Sequence, residues 1–302
     1  MRTYPTRVGD VALSSAVLTA SGTSGHGDEL ADYGDLAQLG AVVTKSLASF
    51  AFEGNPPPRL TSSGSHMVNA VGLAGPGVSA WRAEYLPGLL ARGATVVGSI
   101  WGRSVDEFAS AASQMRGSGI AALEVNASCP NLESRREIFA HSPSATAEIV
   151  AAATVAGVPL WAKLSPNTPL LLEVAEAALA AGAEALVLVN TVLGLVVDIE
   201  SRRPALGNIG GGVSGPGILP VALRAIYECR DAFAHAPIVG VGGVASGRDA
   251  VAMVMAGANA VEVGTATFAD PRAPWRVQRE LDDWLATHGV TSLEQVRGVA
   301  HG

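Results

Sequence analysis

From about residue 16 onward, short runs rich in Val, Leu, Ile and Ala alternate with longer segments of helical character. A short run that is apolar throughout, rather than at every second position, reads as a strand buried on both faces, as in a parallel sheet. Residues 17–20, 41–45, 95–100, 121–126, 159–164, 185–190, 237–241 and 260–263 fit that description. Helix-like stretches fall at 28–38, 78–91, 105–115, 144–156, 170–180, 216–234, 248–255 and 275–288. Gly40, Gly93, Gly157, Gly182 and Gly257 stand between helix ends and the next strand, where the pattern predicts left-handed caps. Eight strand-helix units predict an α/β chain folded as a (β/α)8 TIM barrel. The competing open, doubly wound sheet would be expected to carry G-x-G-x-x-G after its first strand, and this chain does not.

Two insertions break the rhythm: 46–77, dense in Pro and Gly, and 191–215, which ends in a glycine cluster. Both follow strands, so both extend from the C-terminal face of the barrel, where long loops wall or cover a ligand site. With 48% hydrophobic and 16% charged residues, the chain of 302 has material for one large core. No linker-like stretch divides it, and residues 1–302 are expected to form a single domain. The net charge of −7, without any basic cluster, disfavours nucleic acid as a partner. The longest apolar run is too short to span a bilayer, so neither a membrane nor a secretory route is expected. Cys129 and Cys229, far apart, supply neither a disulfide framework nor the ligands of a metal cluster, and they point to a reducing, cytoplasmic setting.

Polar residues collect where the strands end: Ser21, Lys45, Ser99, Asn126, Lys163, Asn190, then Gly242-Gly243 and Gly264-Thr265. In a barrel these converge on one mouth. Strand ends meet solvent, which accounts for some of them, but lysine normally sits on solvated helix faces, and two directly after strands call for a ligand. Glycines after the seventh and eighth strands let backbone N–H groups approach a phosphate. Asn126-Ala127-Ser128-Cys129-Pro130-Asn131 places a thiol and two carboxamides at a strand-to-loop junction, with Pro130 forcing the turn. Taken alone, a cysteine after an apolar run is more often a packing residue. An unperturbed thiol, with a pKa of ~8.5, is only slightly ionised near neutrality, so a site using it as a base must favour the thiolate or work faster in alkali.

In order along the chain, Ala20-Ser21-Gly22-Thr23, Thr44-Lys45-Ser46, Asn69-Ala70-Val71-Gly72-Leu73, the Asn126–Asn131 motif, Lys163-Leu164-Ser165-Pro166-Asn167, Asn190-Thr191, Gly242-Gly243 and Gly264-Thr265 resemble the class 1 dihydroorotate dehydrogenases over essentially the whole length. The resemblance implies an FMN-containing barrel that oxidises dihydroorotate to orotate in pyrimidine synthesis. Cys129 would be the base, and Lys45, Asn69, Gly72, Leu73, Asn126, Asn131, Asn190 and Thr191 would line the substrate. FMN would be held by Ala20, Ser21, Lys45, Ser46, Asn126, Lys163, Val189, Gly215, Gly242, Gly243, Gly264 and Thr265, with Ser99 where the family usually offers an asparagine to the flavin. The contexts of Asn190-Thr191 and of Ser214-Gly215-Pro216-Gly217 are closer to the NAD-linked type than to the fumarate-linked type. That type implies a homodimer and a second subunit carrying FAD and a [2Fe-2S] cluster.

Three departures from the family pattern stand out. They are Ser99, the stretch 132–141 with Arg135 and Arg136 in place of a glycine-rich loop, and Ala74-Gly75-Pro76-Gly77. A related dihydropyrimidine-oxidising flavin barrel shares the cysteine motif, though Asn131 favours orotate chemistry, and a catalytically silent FMN-binding subunit is a reading from another class. His26, His66, His141 and His235 show no metal-ligand spacing. Cys229, Trp81, Trp161 and Trp275 read as packing residues.

Overall fold

The computed structural model describes residues 4–128 and 139–302. Its centre is a closed barrel of eight parallel strands. In chain order these are Val17–Thr19 (β1), Ala41–Val43 (β2), Val96–Ile100 (β3), Ala122–Asn126 (β4), Leu160–Lys163 (β5), Ala185–Leu188 (β6), Ile238–Val241 (β7) and Ala260–Val263 (β8). Each pairs with its neighbours in sequence and β8 closes onto β1, with Glu262 opposite Leu18.

Strand parity divides the core in two, because successive side chains point to opposite faces. Val17, Val42, Val96, Leu123, Leu160, Leu186, Ile238 and Val261 join the cluster shared with the outer helices. Leu18, Val43, Val97, Ala122, Trp161, Val187, Val239 and Ala260 form a separate interior cluster. The hairpin Thr6–Val8 and Val11–Leu13 adds Val8, Val11 and Leu13 to that interior and so plugs the N-terminal end. On the same inward parity, but nearer the C-terminal ends, stand Ser99, Glu124, Asn126, Lys163 and Glu262, all buried. The interior thus changes from hydrocarbon to polar along the barrel axis.

The helices broadly follow the expected stretches, with differences at 28–38 and 78–91. Residues 28–38 form two short 3-10 turns, Glu29–Asp32 and Leu36–Gln38, rather than a helix. Gly34 between them passes so close to the Trp275 ring that a Cβ would lie 2.5 Å from it. The stretch 78–91 is two helices, Val78–Glu84 and Leu86–Ala91, the second with Pro at its start. Gly40 is not left-handed: it is needed for space, since a Cβ there would sit 2.3 Å from the Ser15 carbonyl oxygen. Ser104, Ser142 and Ser246 cap the helices Val105–Met115, Pro143–Ala153 and Gly247–Ala256 through their side chains.

The two insertions meet above the C-terminal face. Leu60–Ser63 and His66–Asn69 from the first pair with Gly211–Ser214 and Val192–Gly194 from the second in one antiparallel sheet. Among the described residues, no helix is long and apolar enough to cross a membrane.

Candidate active site

Between the polar ends of the strands and the insertion sheet lies a cavity of about 670 Å³. That is room for a cofactor-sized ligand. The first strand delivers Ala20 and Ser21 to its wall, the second Lys45 and Ser46, the fourth Asn126, and the fifth Lys163. Val189, Asn190 and Thr191 follow β6, Gly242 and Gly243 follow β7, and Gly264 and Thr265 follow β8. The insertions contribute Asn69, Gly72 and Leu73, the last held at a φ of 60° despite its side chain.

Two expected residues stand apart from the wall. Ser99 does not reach the cavity: it is fully buried beneath Ser46, and its hydroxyl is spent on Ser46 and Glu124. Gly215 lies one residue beyond Ser214, which does line the cavity, and turns the chain into Pro216–Ile218 at a φ of 100°. Cys129, Asn131 and the loop with Arg135 and Arg136 lie outside the described residues; Ser128, just before the cysteine, faces the cavity.

A directed chain of hydrogen bonds runs along the wall and down into the barrel. Asn190 Nδ2 donates to Asn126 Oδ1 at 3.1 Å, and Asn126 Nδ2 donates to Ser46 Oγ at 3.1 Å. Ser46 and Ser99 hydroxyls lie 2.8 Å apart, and Ser99 Oγ donates to Glu124 Oε1 at 2.8 Å. Because Ser99 gives its proton to Glu124, it accepts from Ser46, which leaves Ser46 free to accept from Asn126. The carboxamides on the wall are therefore oriented from below. Asn69 Nδ2 donates to the Gly212 carbonyl at 3.2 Å, tying the two insertions together at the cavity roof.

The lysines differ in setting. Lys163 Nζ lies 3.3 Å from Glu262 Oε2 and 3.4 Å from Glu124 Oε2, with both glutamates fully buried. Burial pushes its pKa down, but the two carboxylates outweigh that and raise it, so it stays charged. Lys45 has a pKa lowered by burial and then by the charge of Arg59. An anion in the cavity would oppose both by favouring the charged ammonium. At the far side, Gly243 has a φ of 82°, and a Cβ there would lie 2.6 Å from the Leu219 amide nitrogen at the start of the helix Leu219–Ala232. Only a glycine brings bare backbone this close to a helix N-terminus.

Sequence reasoning missed Glu124 and Glu262, along with Asn167, Asn208 and Phe268 of the wall. The signal for the glutamates was present: a charged residue inside an otherwise apolar strand, on the parity of that strand's inward face. Cys229, Trp81, Trp161 and Trp275 are buried as expected, and burial pushes the Cys229 thiol up to about 12.

The family model described as dihydroorotate dehydrogenase matches residues 5–285. A protein of Desulforudis audaxviator named dihydroorotate dehydrogenase B (NAD(+)), catalytic subunit, is 44% identical over 296 residues, which is 97% of this chain and 96% of the relative. Proteins of the same name from Geotalea daltonii and Geobacter sp. M21 are 41% and 40% identical, each over 96% of this chain and 96% of the relative. A match spanning the barrel and both insertions, with the strand-end residues gathered on one cavity, means that this chain belongs to the dihydroorotate dehydrogenase family.

Proposed function

We propose that this chain is the catalytic subunit of an NAD-linked dihydroorotate dehydrogenase, oxidising (S)-dihydroorotate to orotate in pyrimidine biosynthesis with FMN as its cofactor. The observation that carries the reading is the convergence of two lysines, five carboxamides and two glycine-bearing turns on one cavity at the C-terminal end of the barrel. The residues present fit FMN. Gly243 beside the N-terminus of the helix Leu219–Ala232, with Gly242, Gly264, Thr265 and the adjoining Gly215, forms a cradle that any Cβ at Gly243 would fill, suited to a phosphate. Ala20, Ser21, Ser46, Asn126, Lys163 and Val189 would hold the ring system, and Lys163 would set a positive charge against it. When bound, FMN supplies the two-electron acceptor that a carbon-carbon oxidation needs.

The remaining work falls to side chains of this protein. Lys45 presents an ammonium that pairs with no carboxylate among the described residues and is suited to one from a ligand, and Asn69, Asn126, Asn190 and Thr191 offer paired donors and acceptors to a flat ring carrying adjacent N–H and C=O groups. Gly72 and Leu73 wall the same space, and Asn131 would complete the set. Cys129 would take the proton from one ring carbon as hydride leaves its neighbour. The insertion sheet would keep water from the reacting atoms.

Two cysteines cannot ligate a [2Fe-2S] cluster, which takes four thiolates. The proposal therefore includes a partner subunit carrying that cluster and FAD, with this chain as a cytoplasmic homodimer within the assembly. Leu193, Leu195, Val197 and Ile199, exposed on the second insertion, support docking of a protein there. Flavin released from the purified protein should be FMN rather than FAD. NAD should be reduced only when the partner subunit is present, and fumarate should not serve. A colourless protein that refuses added FMN would end the reading.

A further inference from the structure

The barrel interior holds a charge cluster that substrate contact does not explain. Glu124, Lys163 and Glu262 come from β4, β5 and β8, and both carboxyl groups are fully buried. Among the described residues Glu262 Oε1 has no hydrogen-bond partner, so that carboxyl is not saturated by donors. The strands on either side of Glu262 turn apolar residues into the same interior. β1 contributes Leu18 and Ala20, β7 contributes Val239 and Val241, and the N-terminal hairpin turns Val8 inward while Arg7 is exposed. Ser99 reaches the cluster only through Glu124, and Lys45 stands at the mouth.

With one ammonium and two carboxylates, full ionisation would leave a net negative charge in a space closed to solvent, and such sites keep a proton instead. The balance for Glu262 runs that way: burial raises its pKa first, Lys163 pulls it down, Glu124 pushes it up, and the outcome is a rise to about 8. Lys163 belongs both to this cluster and to the cavity wall. The proton count below therefore sets the field at the cavity floor.

We propose that Glu262 is a positioning residue that governs the charge under the flavin: protonated, it leaves the Lys163 ammonium to serve the cavity; ionised, it makes the floor net negative. The inference rests on the FMN reading above. Glu262 touches neither substrate nor ring and acts through Lys163. An extra negative charge in the floor disfavours the electron-rich, reduced form of the bound ring relative to the oxidised form. The ratio of reduced to oxidised FMN affinity should fall on the order of tenfold as pH rises through the titration of Glu262.

The test uses the full chain loaded with FMN, with the midpoint potential of the flavin followed by dye equilibration between about pH 6 and 10 and free FMN measured alongside. Wild type should show the additional loss centred near pH 8, and Glu262→Gln should show none while retaining the flavin. Superimposable curves for the two proteins would overturn the proposal. Glu124→Gln is the second variant: relieved of its rival, Glu262 should ionise below neutrality and the alkaline step should vanish there too, whereas a step unchanged in Glu124→Gln would contradict the proposal. Infrared difference spectra read the cluster without any flavin. Apoprotein at pH 6.5 should show a protonated carboxylic acid that disappears in alkali and is missing from both variants, and its absence from wild type would refute the proposal even if a variant failed to fold. A protein that shows this band but takes no FMN would instead defeat the FMN reading.

Discussion

Lys163→Met is the perturbation whose cost the structure fixes most tightly. The ammonium lies 3.3 and 3.4 Å from two fully buried carboxyl groups, and methionine replaces it with hydrocarbon of similar length. Removing one partner of a buried ionic cluster costs about 3–5 kcal/mol when the remaining charge is left uncompensated. The carboxyls can avoid that charge only by holding protons, and this makes the cost depend on pH. In wild type, Glu262 titrates near 8 in the folded chain against 4.5 for an ordinary glutamate. A raised carboxylate pKa means that the folded state binds a proton the unfolded chain has released, so stability falls as pH rises between those two values. The raised pKa of Lys163 adds stability that is present below 10.5 and is lost only in stronger alkali. In Lys163→Met that contribution is gone, and the second carboxyl must hold a proton as well. Each such proton steepens the decline by ~1.4 kcal/mol per pH unit. Over the roughly three units from pH 5 to 8, the gap between the two proteins should widen by ~4 kcal/mol. Urea denaturation at pH 5, 6, 7 and 8 measures it directly. A gap of constant size across that range would refute the assignment of Lys163 as the charge that compensates both carboxyl groups.

Two further substitutions probe separate layers of the barrel. Gly243→Val forces a side chain into the contact with Leu219 at a φ of 82°, and FMN affinity, read by fluorescence quenching, should drop at least ~10-fold, by more than 1.4 kcal/mol; retained affinity would remove the phosphate cradle from the proposal. Trp161→Ala empties the middle of the barrel interior, where Trp161 is fully buried, and should destabilise the protein by about 3–5 kcal/mol in chemical denaturation. A cost under about 1 kcal/mol would show that this layer is not close-packed.

The strands were legible because a parallel strand buried on both faces leaves an uninterrupted apolar run, and β8 begins and ends where the pattern puts it, at Ala260 and Val263. The lysines and asparagines of the wall were legible as polar residues directly after such runs. Glu124 and Glu262 were hidden inside their runs: Leu-Glu-Val and Val-Glu-Val read as hydrocarbon interrupted once, and only the barrel shows that both interruptions face Lys163. The insertion sheet was hidden for a different reason. Val192–Gly194 and Gly211–Ser214 are short and glycine-rich, and His66–Asn69 pairs with residues about 145 positions away, a partnership no local pattern encodes. Within 28–38, Gly34 lies close against Trp275, a contact equally remote in sequence. Ser99 was legible as a strand-end residue, but its engagement by Ser46 and Glu124 was not, because depth below the cavity is a property of the folded layer.

The central claim is that dihydroorotate is oxidised by a flavin held at the C-terminal mouth of this barrel, with Cys129 as the base. Anaerobic addition of dihydroorotate to the FMN-loaded protein, followed by flavin absorbance in a stopped-flow instrument, tests it most directly. The account predicts bleaching of the flavin in wild type and a rate at least ~100-fold lower in Cys129→Ser with FMN retained. A flavin that stays oxidised in wild type, or a serine variant that bleaches as fast, would contradict it.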